Sequence, residues 1–227
     1  MYRNKTITVC LPCRNEGEHL KETIKLIPKF VDEIIVISNK STDDTVAQAK
    51  KLGLKVYEDN RTLNGIGYGY ALMTGFKKAT SDITVSADGD ATYPLEDLAK
   101  IIDHFLDEKL DFLSCNRYPV QKGTKIPASL RLGVWALNTE VRLLYGFKIN
   151  DILSGMWVFK RPVAKKLNLS MGDWNLCPQI KLAAARNPNI KFGEFSIGQH
   201  ERQGNSKQQY LKTGFSHLMW ILKNRFK

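Results

Sequence analysis

Nothing in the 227-residue chain approaches the run of about 20 apolar residues that a membrane-spanning helix requires, and residues 1–5 lead into a strand pattern without the apolar core of a signal peptide. A cytosolic protein is the expectation. Cysteine is scarce, four residues in all, and only Cys10 and Cys13 lie close together. Their C-x-x-C spacing has no second pair and no neighbouring histidines to complete four ligands, so one core thiol and one loop thiol are expected. Histidine is equally scarce, and His19, His104, His200 and His217 fall in helical or loop contexts, none recognisable as a general base. There is no internal repeat, low-complexity tract or interdomain linker, which bounds the chain to one domain, or one with an appended segment. Acidic residues are in the minority, 23 against 34 lysines and arginines, a formal net charge of +11. Such an excess points to an anionic partner: phosphate, nucleic acid or a membrane surface. The basic residues are spread along the chain and match no nucleic-acid recognition motif, so nucleic acid is not the expected partner.

What remains is ordinary for a soluble globular protein, 43% hydrophobic and 25% charged. Residues 6–11 read as a first strand, followed by the loop Pro12-Cys13-Arg14-Asn15-Glu16 and a helix carrying Leu20, Ile24 and Ile27. A second strand over 33–37 runs through Ser38-Asn39-Lys40 into a helix cap at Ser41-Thr42-Asp43-Asp44. Residues 54–57 make a third strand. Gly65, Gly67 and Gly69 fall at every second residue rather than as G-x-G-x-x-G, so a loop opening a helix is expected there and not a dinucleotide site. A fifth strand covers 111–115. Strand and helix alternate throughout, predicting an α/β protein with a mostly parallel central sheet flanked by helices.

Between the third helix and the fifth strand, Ile83, Val85 and Ala87 alternate with polar residues and stop at Asp88-Gly89-Asp90. The pattern is a short strand delivering two carboxylates at its C-terminal end. Glycine between them allows a tight turn, so both side chains can converge on one divalent cation and the diphosphate it carries. Two acids around a glycine also make an ordinary surface turn. Position favours the first reading: Pro94, Glu96 and Asp97 open a helix just beyond, and an open α/β sheet takes its ligand at that edge.

The second half is expected to hold a helix over 129–145, a strand over 156–159, a helix over 174–186 and a last strand over 192–197. A helix from about residue 208 closes the chain. Its Leu211, Phe215, Leu218, Met219 and Leu222 form an apolar face beside Lys212, Lys223, Arg225 and Lys227. Such a basic amphipathic helix either lies in a membrane interface or packs against its own domain.

In this order the segments resemble glycosyltransferase family 2, the inverting GT-A enzymes, over nearly the whole chain. Pro12 to Glu16 is similar to the family's P-x-x-N-E loop, which packs on the nucleotide base. Residues 32–37 with Ser41 and Asp43 resemble its second-strand motif, and Asp88-Gly89-Asp90 its metal-binding D-x-D. The second half looks like that of the polyprenyl-phosphate sugar synthases, the group of the dolichyl-phosphate mannose and glucose synthases. Residues 88–94, DGDATYP, resemble the extended D-x-D of that group. Asn116-Arg117-Tyr118, Arg131 with Asn138, and Asp151-x-x-Ser154-Gly155-Met156 fall where its phosphate- and acceptor-facing motifs stand. Arg202 to Lys207 is similar to its R-x-x-G-x-S-K loop, which closes over donor diphosphate and lipid phosphate. Asn39 replaces a usual aspartate, so base preference is not inherited, and Ile66 replaces a usual lysine. Members of the group often carry C-terminal transmembrane helices, which these residues lack.

The resemblance implies a GT-A nucleotide-diphospho-sugar transferase domain over 1–207, with 208–227 as a basic amphipathic helix, part of it or appended. It implies hexose transfer from GDP-mannose or UDP-glucose to a polyprenyl phosphate, with Mg²⁺ or Mn²⁺ held by Asp88 and Asp90. Pro12, Arg14, Asn15, Glu16, Asn39, Ser41, Asp43, Gly65 and Gly89 would face the nucleotide sugar. Arg117, Arg131, Arg202 and Lys207 would share the charge of the departing diphosphate, and Arg131, Ser154, Gly155, Arg202, Ser206 and Lys207 would face the acceptor. A lipid phosphate is already anionic and needs no general base. A sugar hydroxyl would need one, and Asp151 is then the candidate, although a turn or cap role before Ser154-Gly155 fits it equally. Trp157 and Trp174 either stack on sugar or lipid or pack in the core. Alternatives are a family 2 enzyme glycosylating a sugar hydroxyl in glycan assembly, and a non-catalytic protein binding nucleotide sugar or nucleic acid. A peripheral position on the cytoplasmic membrane face would suit the final helix.

Overall fold

Every residue of β1 (Ile7–Cys13) is buried, and the sheet is laid out to either side of it. The structure is a computed structural model describing residues 1–121, 124, 126–201 and 209–226. After β1 come α1 (Gly17–Leu26), β2 (Glu33–Ser38), α2 (Thr45–Lys51), β3 (Lys55–Glu58), α3 (Tyr68–Lys78) and β4 (Ile83–Ser86). The second half adds α4 (Leu98–Asp107), β5 (Phe112–Asn116), α5 (Ala128–Tyr145), β6 (Trp157–Lys160), α6 (Arg161–Lys166), α7 (Leu176–Arg186), β7 (Phe192–Ser196) and α8 (Tyr210–Arg225). The strands form one sheet in the order β3-β2-β1-β4-β6-β5-β7. Pairings are parallel except those of β6, which lies antiparallel between β4 and β5. The expected α/β architecture with a mostly parallel sheet is what the chain adopts.

Alternation along the strands splits the core into two layers, as strands covered on both faces require. Val9, Leu11, Val36 and Val85 pack with Leu20, Ala49 and Ile101 of α1, α2 and α4. Cys10, Ile35, Ile37, Phe112 and Phe159 pack with Leu72, Phe76 and Ile180 of α3 and α7. The C-x-x-C pair is divided by the same rule: Cys10 joins one layer and Cys13 the other. Both are buried, so Cys13 is not the loop thiol expected; β1 continues through Pro12 to Cys13. Beyond Cys10 the strand pairs only with β2, where a proline without an N–H is tolerated.

Of three further departures, two have local causes and the third a tertiary one. Pro94 precedes a single 3₁₀ turn, Leu95–Asp97, so Glu96 and Asp97 lie before α4 rather than in its first turn. Helix α6 was not anticipated, although Pro162 in its first turn marks it. The third difference concerns α8. It packs beside α5 through Ile221, in a cluster with Leu137, Val141, Ile149, Ile152 and Leu182. Tyr145 Oη donates to the Ile221 carbonyl at 2.8 Å, and Arg225 Nε to the Leu144 carbonyl at 2.6 Å. The face that packs is thus that of His217 and Ile221, while Leu211 and Phe215 are 92% and 67% exposed. Among the described residues, no helix is long and apolar enough to cross a membrane.

Candidate active site

The segments that follow β1, β2, β3 and β4 leave the parallel part of the sheet at the same edge and line a cleft of about 510 Å³. Pro12, Arg14, Asn15, Glu16, Asn39, Gly65, Asp88, Gly89 and Asp90 all line it, with Ile66, Tyr68 and Trp174. Nine residues singled out from four separate stretches therefore share one cavity. Ser41 and Asp43 do not; they hold the loop from behind. Asn15 N–H donates to Ser41 Oγ at 3.1 Å, and Thr42 N–H donates to Asn15 Oδ1 at 2.7 Å. Asp43 accepts from Gly17 N–H at 3.0 Å and from Thr45 N–H at 3.0 Å, joining the N-termini of α1 and α2. Burial works against its charge, but these hydrogen bonds win and hold the carboxyl below the ordinary aspartate range.

Asn39, at the end of β2, is 3% exposed. Its Nδ2 donates to the carbonyls of Asp59 and Arg61, which fixes the amide and leaves Oδ1 without a hydrogen-bond partner among the described residues. A carboxylate there could make neither donation. Asp59 is itself braced by Arg61 and Thr74, and the Arg61 hydrogen bonds bring its pKa down to about 2.

The turn after β4 is built around Gly89, where a Cβ would stand 2.5 Å from Cys13 Sγ. Thr23 Oγ1 on α1 donates to the Gly89 carbonyl and accepts from Ala91 N–H, both at 2.9 Å, clamping the turn from beneath. Asp90 Oδ1 accepts from Thr92 N–H at 3.2 Å, and Asp88 Oδ1 from Tyr68 Oη at 3.1 Å. Tyr68 packs on Trp174 with ring centroids 4.4 Å apart.

A second cavity, of about 160 Å³, adjoins the first and shares Tyr68, Asp88, Asp90 and Trp174 with it. Arg117, Tyr93, Gly155, Cys177 and His217 are among its other lining residues. A Cβ on Gly155 would meet Tyr68 Oη at 2.4 Å, and Gly155 N–H donates to Tyr93 Oη at 2.7 Å.

Asp151 stands behind this wall with 0% exposure, which is not the place of a base that touches an acceptor. Its carboxylate takes Arg117 Nε at 2.6 Å and Nη2 at 3.0 Å, and the N–H groups of Leu153 and Ser154 at 3.1 Å. Burial raises the pKa of the acid, yet the neighbouring guanidinium outweighs it and keeps Asp151 below the ordinary value. The turn role weighed for it is the one the geometry supports. Lys181 on α7 is buried as well, donating Nζ to the Asp151 carbonyl at 2.5 Å; burial lowers its pKa to about 8.

Ser154 is buried and supports Asp151 rather than lining the cavity. Arg131 is exposed on α5, outside both linings but within electrostatic reach of Tyr118. Arg202, Ser206 and Lys207 lie outside the described residues. Trp157 is a core residue, edge-on to Phe76, whereas Trp174 borders both cavities. Tyr68, Tyr93 and Lys181 have no site role on sequence grounds, and His217 figures there only as one of four histidines not recognisable as a general base. A lysine within the apolar stretch of α7 was a usable signal, while the others carried none.

A family model described as glycosyl transferase family 2 matches residues 8–167. The chain is 26% identical to a low-salt glycan biosynthesis hexosyltransferase, Agl6, of Haloferax volcanii, over 96% of this chain and 54% of that protein. It is also 26% identical to a dolichyl-phosphate hexose transferase of the same organism, over 91% of this chain and 88% of that one. The chain spans only about half the length of Agl6. Among solved structures, glucosyl-3-phosphoglycerate synthase from Mycobacterium tuberculosis, in complex with Mn²⁺, uridine diphosphate and glucosyl-3-phosphoglycerate, is similar with a TM-score of 0.71. That likeness covers 98% of this chain and 80% of the other at 22% identity, and it establishes the fold.

Proposed function

The chain belongs to glycosyl transferase family 2, and from that premise we propose that it moves a hexose, mannose or glucose, from a nucleotide diphosphate sugar to a polyprenyl phosphate with inversion at the anomeric carbon. The observation that carries this reading is that Asp88 and Asp90 line both cavities. A diphosphate at the two carboxylates has room for a nucleoside in the larger cavity and for a sugar and its acceptor in the smaller. Pro12, Arg14, Asn15, Glu16, Asn39 and Gly65 then face the nucleoside side.

A divalent cation fits this pair. Both carboxylates are hard oxygen donors, and the turn that joins them packs so closely on Cys13 that only glycine fits at position 89. Among the described residues no cluster of three or more His, Cys, Asp or Glu gathers, so diphosphate oxygens and water would complete the shell, as Mg²⁺ commonly requires. Asp88 and Asp90 would hold Mg²⁺ or Mn²⁺, which when bound supplies positive charge to the departing diphosphate.

On the acceptor side Arg117 provides a cation whose direction is set by Asp151. A phosphate acceptor is anionic at neutral pH and needs no proton removed, which agrees with the full engagement of Asp151. Arg131, Arg202, Ser206 and Lys207 are the remaining acceptor residues of this proposal, with Gly155 in the cavity wall. GDP-mannose and UDP-glucose are the donors to try. The name of the dolichyl-phosphate relative supports a lipid phosphate acceptor. So do the outward faces of two adjacent helices, Leu132, Trp135 and Leu143 on α5 and Leu211 and Phe215 on α8. With Arg142, Lys212 and Lys223 on the same helices, these suit a peripheral position on an anionic membrane, at its cytoplasmic face.

The test is transfer of labelled sugar from GDP-mannose and UDP-glucose to a short polyprenyl phosphate in detergent, with and without Mn²⁺. Metal-dependent label in the lipid is the expected result. Donor hydrolysis or binding without lipid product would discard the lipid acceptor.

A further inference from the structure

Beyond the two carboxylates and Arg117, the smaller cavity is lined by a buried histidine whose ring has an acceptor to spare. His217, on the inner face of α8, is 3% exposed and lines that cavity. Its Nδ1 lies 2.8 Å from Oδ1 of Asn175. The Asn175 amide has only one workable orientation, because Nδ2 donates to Ser216 Oγ at 3.0 Å and to the Asp173 carboxylate at 3.3 Å. Asn175 Oδ1 therefore accepts, and Nδ1 of His217 carries the ring proton. Burial pushes the imidazole pKa down to about 4, so at neutral pH the ring is uncharged. Its Nε2 is then a bare acceptor with no hydrogen-bond partner among the described residues. A nitrogen that surrenders a proton so readily is a poor general base at pH 7, but it remains a good hydrogen-bond acceptor.

We propose that the smaller cavity holds the sugar of the donor and that His217 Nε2 accepts a hydrogen bond from one of its hydroxyls, making His217 a specificity-determining residue. The inference rests on the glycosyl-transfer reading and deepens it. Of the two ligands that reading brings together, only the sugar has protons to offer. An ionised lipid phosphate is an acceptor only, and its lone pairs would repel Nε2; its counterpart in the same cavity is Arg117. Tyr68 and Trp174, paired at the boundary with the nucleotide cleft, line both cavities and supply aromatic surface there, against which a sugar ring can rest. The chain Asp173–Asn175–His217 ties the start of α7 to α8, so the acceptor is held by two elements.

The experiment is ¹⁵N NMR of histidine-labelled wild-type protein, titrated with UDP-glucose and GDP-mannose, each against its nucleoside diphosphate, in Mg²⁺. The Nε2 resonance of His217 should move with the donor sugar and stay in place with the diphosphate alone. His217→Phe should weaken nucleotide-sugar binding about tenfold, the worth of one hydrogen bond, without changing diphosphate affinity. His217→Gln, which keeps an acceptor, should recover part of the loss. A nucleotide sugar that binds without moving Nε2 overturns the assignment, as does a shift produced by short polyprenyl phosphate alone. Failure of wild-type protein to bind either nucleotide sugar or diphosphate strikes the glycosyl-transfer reading itself, and this inference with it.

Discussion

Arg117 and Asp151 meet in a two-point ion pair, Nε to Oδ2 at 2.6 Å and Nη2 to Oδ1 at 3.0 Å, with the carboxylate wholly buried and the guanidinium at the wall of the smaller cavity. The acid gives the arginine its direction, and the arginine keeps the acid ionised.

Asp151→Asn should therefore behave as a broken buried pair. The isolated guanidinium predicts a loss of about 3–5 kcal/mol in stability, read from denaturant midpoints. Because the folded pKa of Asp151 lies below the ordinary value of about 4, the unfolded chain takes up the proton first. The stabilisation is complete above that value and is lost as pH falls towards the folded pKa. Wild type should lose stability relative to Asp151→Asn across this acid range, and parallel pH profiles for the two would refute the pairing.

Replacing Asp90 by Asn removes one of two charges from the proposed metal site and keeps the size of the side chain. If a bound cation lowers the barrier by several kcal/mol, transfer should fall at least about 100-fold at fixed Mn²⁺. Excess Mn²⁺ should restore part of it. Undiminished turnover in this variant would remove the D-x-D pair from the mechanism.

At Asn39 the family's usual aspartate is predicted to harm this chain. A carboxylate would turn its oxygens towards the carbonyls of Asp59 and Arg61, where Nδ2 now donates. Asn39→Asp should lower stability by about 1–3 kcal/mol, the price of an unsatisfied buried group, and weaken nucleotide binding. Thermal unfolding and calorimetric titration with UDP and GDP measure both; an unchanged or raised melting temperature counts against the fixed amide.

Gly155 offers a coupled test. A methyl group there would meet Tyr68 Oη, which in turn bonds Asp88. Gly155→Ala should depress both stability, by about 1–3 kcal/mol, and transfer. Combining it with Tyr68→Phe removes the clashing oxygen, so the double variant should be less impaired than the sum of the two changes. Simple additivity would mean that the two residues do not touch.

Much of the fold was legible locally. Period-two alternation located the strands, and the carboxylates of Asp88 and Asp90 follow directly from where β4 stops. Parity alone also separates Cys10 from Cys13, since residues three apart on a strand face opposite ways. Helix periodicity was less decisive. Leu211 and Phe215 make as good an apolar stripe as any, yet α8 buries His217 and Ile221 instead. Which of two faces is covered depends on the neighbour, and that neighbour, α5, lies far back in the chain.

The sequence by itself determined the order of the strands and of every helix but α6, and which loops follow β1, β2 and β4, because these rest on patterns among residues a few positions apart. Only the tertiary structure decided what each buried polar group does. Arg117 finds Asp151 across 34 positions and His217 finds Asn175 across 42. The energy of a buried charge is set by the partner that reaches it and the water that does not, and neither is encoded in local spacing.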